Sequence, residues 1–180
     1  MKSSEIFQHL SPGLSEQVLG WLHATEKPTY KVAVQTLATQ RKLRPVFVER
    51  KPRAERHTWM QGALSRPAGE PIAANLLQMW LMGAQSSLLC DFLDALGIEH
   101  DEHGGIDSLP ETPTPEKLHA AVETLLAKYP AEIVAVYLQS FQTMDIAGWP
   151  ALGEMLAADP RLHLPAPVPA PAATETLAHG

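Results

Sequence analysis

The chain has a single cysteine, Cys90, among its 180 residues. One thiol cannot form a disulfide within the chain, and it excludes a zinc ribbon or a CxxC redox motif. The first residues, MKSSEIFQHLSPGL, contain no long apolar stretch and no small-residue cleavage site, so they do not resemble a secretory signal. We therefore expect a cytoplasmic protein that folds without disulfides.

Catalytic signature motifs are also missing. The sequence contains no GxSxG, P-loop, GxGxxG or HExxH pattern. Cys90 paired with His57 or His119 would resemble a nucleophile and its base, but it lies in the apolar stretch LLCDF. Burial there makes a thiol inert, because burial raises its pKa. The sequence thus favours a non-enzymatic protein, and it predicts no cofactor.

Basic residues are scarce after residue 66. Residues 67–180 hold 3 Lys or Arg and 15 Asp or Glu, whereas residues 1–66 hold 11 basic and 5 acidic side chains. The formal net charge of the chain is −6, and its pI is about 5.7. Seven of the 14 basic residues lie between positions 41 and 56. A split this sharp indicates that the basic part faces something negative.

Charge is absent from residues 71–90, a run long enough to span a bilayer. Asn75, Gln78 and Gln85 interrupt it, and no cluster of Lys or Arg flanks either end. Amides are costly in hydrocarbon. We therefore predict a buried helix of a helical bundle here, ended by Gly97 and with a possible kink at Gly83.

Helix signals occur throughout the chain. Ser11-Pro12 and Thr114-Pro115 each combine an N-cap residue with proline at the first helical position. Apolar residues at helical spacing follow both signals. The sequence predicts an all-α, single-domain bundle of about seven helices, built around one long central helix over 71–96. Val46-Phe47-Val48, between Pro45 and Pro52, is a short apolar run that could be extended.

Two further segments complete the predicted organisation. Ile98 and Ile106 around Gly104-Gly105 suggest a tight turn or a minor hairpin over 98–107. Alternate prolines from Pro165 onward favour polyproline II and leave nothing to pack. We predict a helical domain over 1–163 and a Pro/Ala-rich disordered tail over 164–180.

The densest cluster of metal-ligand types is the segment 99–107, which contains His100, Asp101 and His103. Histidine and carboxylate are common ligands of zinc and iron, so a metal-dependent hydrolase is one hypothesis. All the candidates lie on one short segment, however, and the spacing fails the EF-hand pattern. A polar connection between two helices is the simpler interpretation, and we assign no metal ligands.

The basic segment is the main functional candidate. Three interpretations of it stay open: a solvated face or a contact with the acidic half, a protein partner or self-association, and nucleic acid. For the intramolecular contact we expect Arg53 or Arg56 near Asp91 and Asp94. Glu49 and Glu55 reduce the local field, and the acidic pI disfavours a dedicated nucleic-acid binder.

The leading hypothesis is therefore a non-enzymatic helical interaction module, with Trp59 as an aromatic anchor. Nucleic-acid binding through the same residues is the alternative. No membrane contact is expected. The predicted binding residues are Arg41, Lys42, Arg44, Arg50, Lys51, Arg53, Arg56 and Trp59.

Overall fold

The chain folds into α-helices, as predicted, and no strand occurs among the described residues. The computed structural model describes residues 1–108, 110–143 and 148–167. Its first five helices are α1 Ser3–His9, α2 Pro12–Thr25, α3 Lys27–Gln40, α4 Pro45–Glu49 and α5 Arg53–Leu64. The next five are α6 Glu70–Ala84, α7 Ser86–Leu96, α8 Pro115–Lys128, α9 Ala131–Gln142 and α10 Pro150–Ala158. Two 3₁₀ turns, Pro67–Gly69 and Pro160–Leu162, complete the set.

Capping residues place several of these helices as the sequence predicts. The Ser11 hydroxyl accepts a hydrogen bond from the Leu14 N–H, and the Thr114 hydroxyl accepts one from the Lys117 N–H. Gly97 adopts a left-handed φ of 67°, which lets the Ile98 N–H reach back to the Leu93 carbonyl. Each contact satisfies a backbone group that a helix end leaves without a partner.

The prediction of one continuous central helix over 71–96 is wrong, because this part of the chain is divided at Gln85 into α6 and α7. A Cβ built on Gly83 would lie 2.4 Å from the Trp21 ring of α2, so this ring packs directly on the α6 backbone. Glycine and serine are weak helix formers and often mark sharp bends. The sequence Gly83-Ala-Gln-Ser-Ser87 therefore ends one helix and begins another.

Other predicted details change as well. Residues 45–49 form a short helix instead of an extended run, and α1 was not predicted at all. Helices of five to seven residues are too short to show a clear period. Of the two alternatives predicted for 98–107, the structure has the tight turn without hairpin strands: the Gly104 N–H bonds to the Asp101 carbonyl, and the Asp101 N–H to that of Gly105.

The helices pack around one continuous apolar core. α1, α2, α3, α5 and α6 contact one another on the N-terminal side, and α7 to α10 do so on the C-terminal side. An aromatic cluster of Phe92, Tyr137, Phe141 and Trp149 fills the second region, with the Phe141 and Trp149 rings 4.8 Å apart. α1 also contacts α9, so the first helix joins the two regions.

The structure can be compared with the predictions that the chain has no membrane contact and that residues 164–180 form a tail. None of the helices described in the structure combines the length and the apolar character that crossing a membrane would need. Leu164 packs partly against the core, and the Pro165 carbonyl contacts His9 Nδ1 at 2.7 Å. Residues 168–180 lie outside the described residues, and the disordered tail stays a prediction.

Candidate partner-binding surface

The surface begins where α3 ends at an unusual backbone turn. Lys42 has a φ of 56°, the left-handed region that favours glycine. Its N–H bonds to the Thr39 carbonyl, and the Leu43 N–H reaches back to Ala38. This is the same helix ending that Gly97 forms after α7, here built with a lysine. The turn sends the chain away from α3 and into α4.

α4 buries only Val48 and exposes the side chains of Val46, Phe47 and Glu49. Val48 is buried, whereas Leu43, Val46 and Phe47 expose 42%, 39% and 60% of their surface. Among the described residues, only Met1 and Val32 are also large apolar side chains with this degree of exposure. An apolar cluster this concentrated on a surface commonly marks an interaction site.

Three of the predicted basic residues make contacts within the protein. Lys51 pairs with Glu55 at 3.6 Å, as the spacing predicts. Arg53 pairs with Glu16 of α2 at 3.2 Å. Arg56 donates to the Tyr30 hydroxyl and to the Glu49 carbonyl, both at 3.0 Å. These contacts fix α5 against α2, α3 and α4, so these side chains help to hold the surface in place.

The remaining predicted residues are differently arranged. The Arg41 guanidinium lies 5.9 Å from the centre of the half-buried Trp59 ring, which suits a cation–π contact. Lys42, Arg44 and Arg50 are exposed, and their side chains have no ion pair or hydrogen bond within the described part of the chain. Along the chain, they flank Leu43, Val46 and Phe47. We call these six residues the basic–apolar patch.

The expected contact of Arg53 or Arg56 with Asp91 and Asp94 is wrong. Asp91 instead accepts hydrogen bonds from Lys128 and from the Tyr129 hydroxyl, and these hold the pKa of its carboxyl below the usual range. Asp94 contacts the His100 ring at 3.2 Å. α7 therefore directs its carboxylates to α8 and to its own following turn, because α8 is its packing neighbour.

The acidic half does contact the basic half, but at helix N-termini. Glu70 accepts hydrogen bonds from the Ser3 and Ser4 N–H groups at 3.1 and 2.7 Å. Glu132 accepts from the Ser11 N–H and hydroxyl at 2.7 and 2.8 Å. A carboxylate at a helix N-terminus satisfies free N–H groups and the helix dipole together. These caps leave the cations of the patch unneutralised.

A buried histidine supports the base of the surface. His57 is 3% exposed, and its Nδ1–H donates to Glu16 at 2.5 Å, while Nε2 is buried without a partner among the described residues. Burial lowers the pKa of His57, although the Glu16 carboxylate opposes this. His23 and Tyr30 pack edge-on nearby, with ring centres 5.0 Å apart. The imidazole thus joins α2 to α5 in its neutral form.

Next to the patch lies a groove of about 360 Å³, between the C-terminal ends of α3 and α5. Leu37, Ala63 and Ala68 form its apolar lining, and Gln40, Arg41, Lys42 and Arg66 form its polar lining. Burial and the positive charge of Arg66 lower the pKa of Arg41. We call this feature the α3–α5 groove.

The segment 99–107 is held by its own hydrogen bonds. Asp101 accepts from the N–H groups of His103 and Gly105 at 2.8 and 2.7 Å, and His100 Nδ1 contacts the Asp101 carbonyl at 2.6 Å. Among the described residues, no group of three or more His, Cys, Asp or Glu is placed to hold a metal ion. Burial raises the pKa of Cys90, which lies beside the Glu102 carbonyl. The geometry gives the metal-dependent hydrolase hypothesis no support.

Comparisons of the chain with protein-family models, with curated proteins and with solved structures find no match. Sequence reasoning located the basic residues of the candidate surface but not Arg66, which the fold brings beside Arg41 from 25 residues further along the chain. It left the exposure of Val46 and Phe47 open, since an apolar run of three predicts burial equally well.

Proposed function

We propose that this protein is a non-enzymatic helical interaction module that contacts a partner protein through its basic segment, residues 41–56. The observation that carries the proposal is the basic–apolar patch. It combines exposed apolar side chains with cations that have no counter-charge in the described part of the chain. Protein interfaces typically have an apolar centre and a polar rim, with aromatic and arginine residues carrying much of the affinity.

The patch also has the stiffness that a recognition surface needs. Val48 anchors α4 in the core, and the Arg56 contact to the Glu49 carbonyl holds the end of this helix. Arg53 and His57 both contact Glu16, which fixes α5 to α2. A preorganised surface loses less conformational entropy on binding than a mobile loop does. The contacts of Lys51, Arg53 and Arg56 within the protein thus help to hold the surface in place.

Quantitative affinity enrichment from a cell lysate tests the proposal. The full chain is compared with a patch variant, Phe47→Ser with Arg44→Gln, and with a matched control, Val32→Ser with Lys31→Gln. Val32 is as exposed as Phe47, at 60%, but lies on α3 and is not part of the patch. We expect the patch variant to lose specific partners that the control retains, with affinity for the purified partner about tenfold weaker or more.

Equal retention by all three proteins would contradict the proposal. A fluorescent oligonucleotide at low salt provides the second readout. If it binds, if its affinity falls steeply with ionic strength, and if the patch variant loses it, nucleic acid is the ligand instead. Sedimentation of the purified proteins tests for self-association. If the native chain and the control form dimers and the patch variant does not, the partner is a second copy of this chain.

A further inference from the structure

The α3–α5 groove places three cations around one small concavity. Arg41 and Lys42 come from the end of α3, and Arg66 comes from the loop after α5. None of the described residues that line the groove is acidic. Both helices direct their C-termini here, and the negative end of a helix dipole makes neighbouring cations tolerable. A ligand anion would neutralise them much more completely.

The Arg41 charge and the backbones that carry Lys42 and Arg66 are held in position before any ligand binds. The Arg41 guanidinium lies over the Trp59 ring, and the left-handed turn fixes the backbone of Lys42. The Arg66 carbonyl accepts from the Gly69 N–H at 2.8 Å, which ties its loop into a 3₁₀ turn. Two guanidinium groups can each bind a carboxylate through paired N–H donors.

The groove and the exposed part of α4 are close neighbours along the chain. Lys42 lines the groove, and Phe47 follows only five residues later, so their Cα atoms lie at most about 17 Å apart. An extended peptide covers that distance with about five residues. One short segment of a partner can therefore reach both features.

We propose that the α3–α5 groove binds a carboxylate side chain of an acidic peptide segment of the partner protein, while a neighbouring apolar side chain of that peptide packs on Phe47. This inference rests on the proposed function and names the chemistry of the partner. Leu37, Ala63 and Ala68 contact the methylene part of the bound Asp or Glu. Arg41 and Arg66 bind its carboxylate.

Charge and shape favour a peptide over other anions. The chain carries a net charge of −6, and residues 67–180 hold 15 acidic side chains against 3 basic ones. A long polyanion or a charged bilayer would meet this repulsion over a wide area. A single carboxylate entering a concave groove meets mainly the three cations. At about 360 Å³, the groove is at the small end of ligand sites, which fits a side chain.

Selection from a displayed library of random 16-residue peptides on the immobilised full chain tests the inference. We expect the selected peptides to be acidic, with Asp or Glu within about five positions of an aromatic or branched aliphatic residue. One selected peptide, fluorescently labelled, is then titrated by anisotropy. Arg66→Gln should weaken its binding by about tenfold or more, because a charge-assisted pair is lost. Lys31→Gln, a matched loss of one positive charge outside the groove, should leave binding unchanged.

Arg66 keeps this test separate from the test of the proposed function, since it lies outside residues 41–56. If the patch variant abolishes binding but Arg66→Gln does not, the patch is the interface and the groove inference is wrong. If neither substitution has an effect, both proposals are wrong. Selected peptides without net negative charge, or tighter binding of phosphatidylserine vesicles or an oligonucleotide than of the peptide, would also overturn the inference. Arg66 is exposed, so unchanged circular dichroism and unfolding midpoint are expected for the variant.

Discussion

Tyr137 buries its hydroxyl without a hydrogen-bond partner among the described residues. It lies in α9, and its ring packs edge-on against Phe92 with centres 5.4 Å apart. Burial raises the pKa of the phenol well above its ordinary value, so this side chain is neutral at any physiological pH. A buried hydroxyl without a partner loses its hydration and gains nothing in return.

We therefore expect Tyr137→Phe to leave the free energy of unfolding unchanged or to raise it by up to about 1 kcal/mol. The substitution keeps the aromatic ring and removes only the unpaired oxygen. Urea denaturation measures the effect.

Tyr129→Phe is the matched control, because the Tyr129 hydroxyl donates to Asp91. Its loss should lower the free energy of unfolding by about 1 kcal/mol. Equal destabilisation by the two substitutions would show that the Tyr137 hydroxyl does have a partner.

At the scale of elements, the end of α3 is the most unusual feature. A non-glycine residue in the left-handed region costs about 1 kcal/mol. Strain of this kind is often found where a functional site requires a particular side chain. Lys42 combines this left-handed backbone with a place in the lining of the α3–α5 groove.

Lys42→Gly should stabilise the protein by about 1 kcal/mol relative to Lys42→Ala, because only glycine adopts this φ without strain. Both variants lose the same charge, so the comparison isolates the backbone contribution. Chemical denaturation of the two variants side by side measures the difference. Equal stability would mean that the turn relaxes when the lysine is replaced.

Local signals explain why some elements could be predicted and others could not. Ser11, Thr114 and Gly97 act within a few residues of themselves, and their roles can be read from the sequence. At the break near Gln85, Trp21 packs against Gly83, and this contact between residues 62 positions apart cannot be read from local signals. α3 ends at Lys42 in the left-handed conformation, a position for which sequence patterns favour glycine, so this ending could not be predicted. Arg66 joins the candidate site only through the packing of α3 and α5.

For the whole molecule, pH is coupled to stability through several histidines. Burial lowers the pKa of both His57 and His23, and positive charges at Arg53 and Arg56 act in the same direction on each. The unfolded chain therefore binds protons more readily at these two positions. Their contribution to stability is present above about pH 6.5 and is lost as the pH falls through the lowered values. His100 contributes to the pH dependence of stability in the opposite direction, because a hydrogen bond to the Asp101 carbonyl raises its pKa in the folded state.

We expect the urea concentration at the unfolding midpoint to decrease when the pH is lowered from 7.5 to 5.5. His57→Gln should make this decrease smaller. His100→Gln is the control of opposite sign, because it removes a group that stabilises the folded state at low pH. It should make the fall larger. A fall that is identical in the native protein and the His57→Gln variant would exclude the buried imidazole as its cause.

The hydrogen bonds between Ser11 and Glu132 join residues that are 121 positions apart. During synthesis the N-terminus of α2 has no carboxylate cap until α9 has left the ribosome. α1 must likewise wait for α6, because Glu70 caps it and α6 packs against it. α1 and α2 therefore emerge early, but their N-termini gain these carboxylate partners late. A ribosome-bound chain that ends before Glu132 should therefore lack one contact that holds α2 in the full chain, and the N-terminus of α2 should be less protected from hydrogen exchange there.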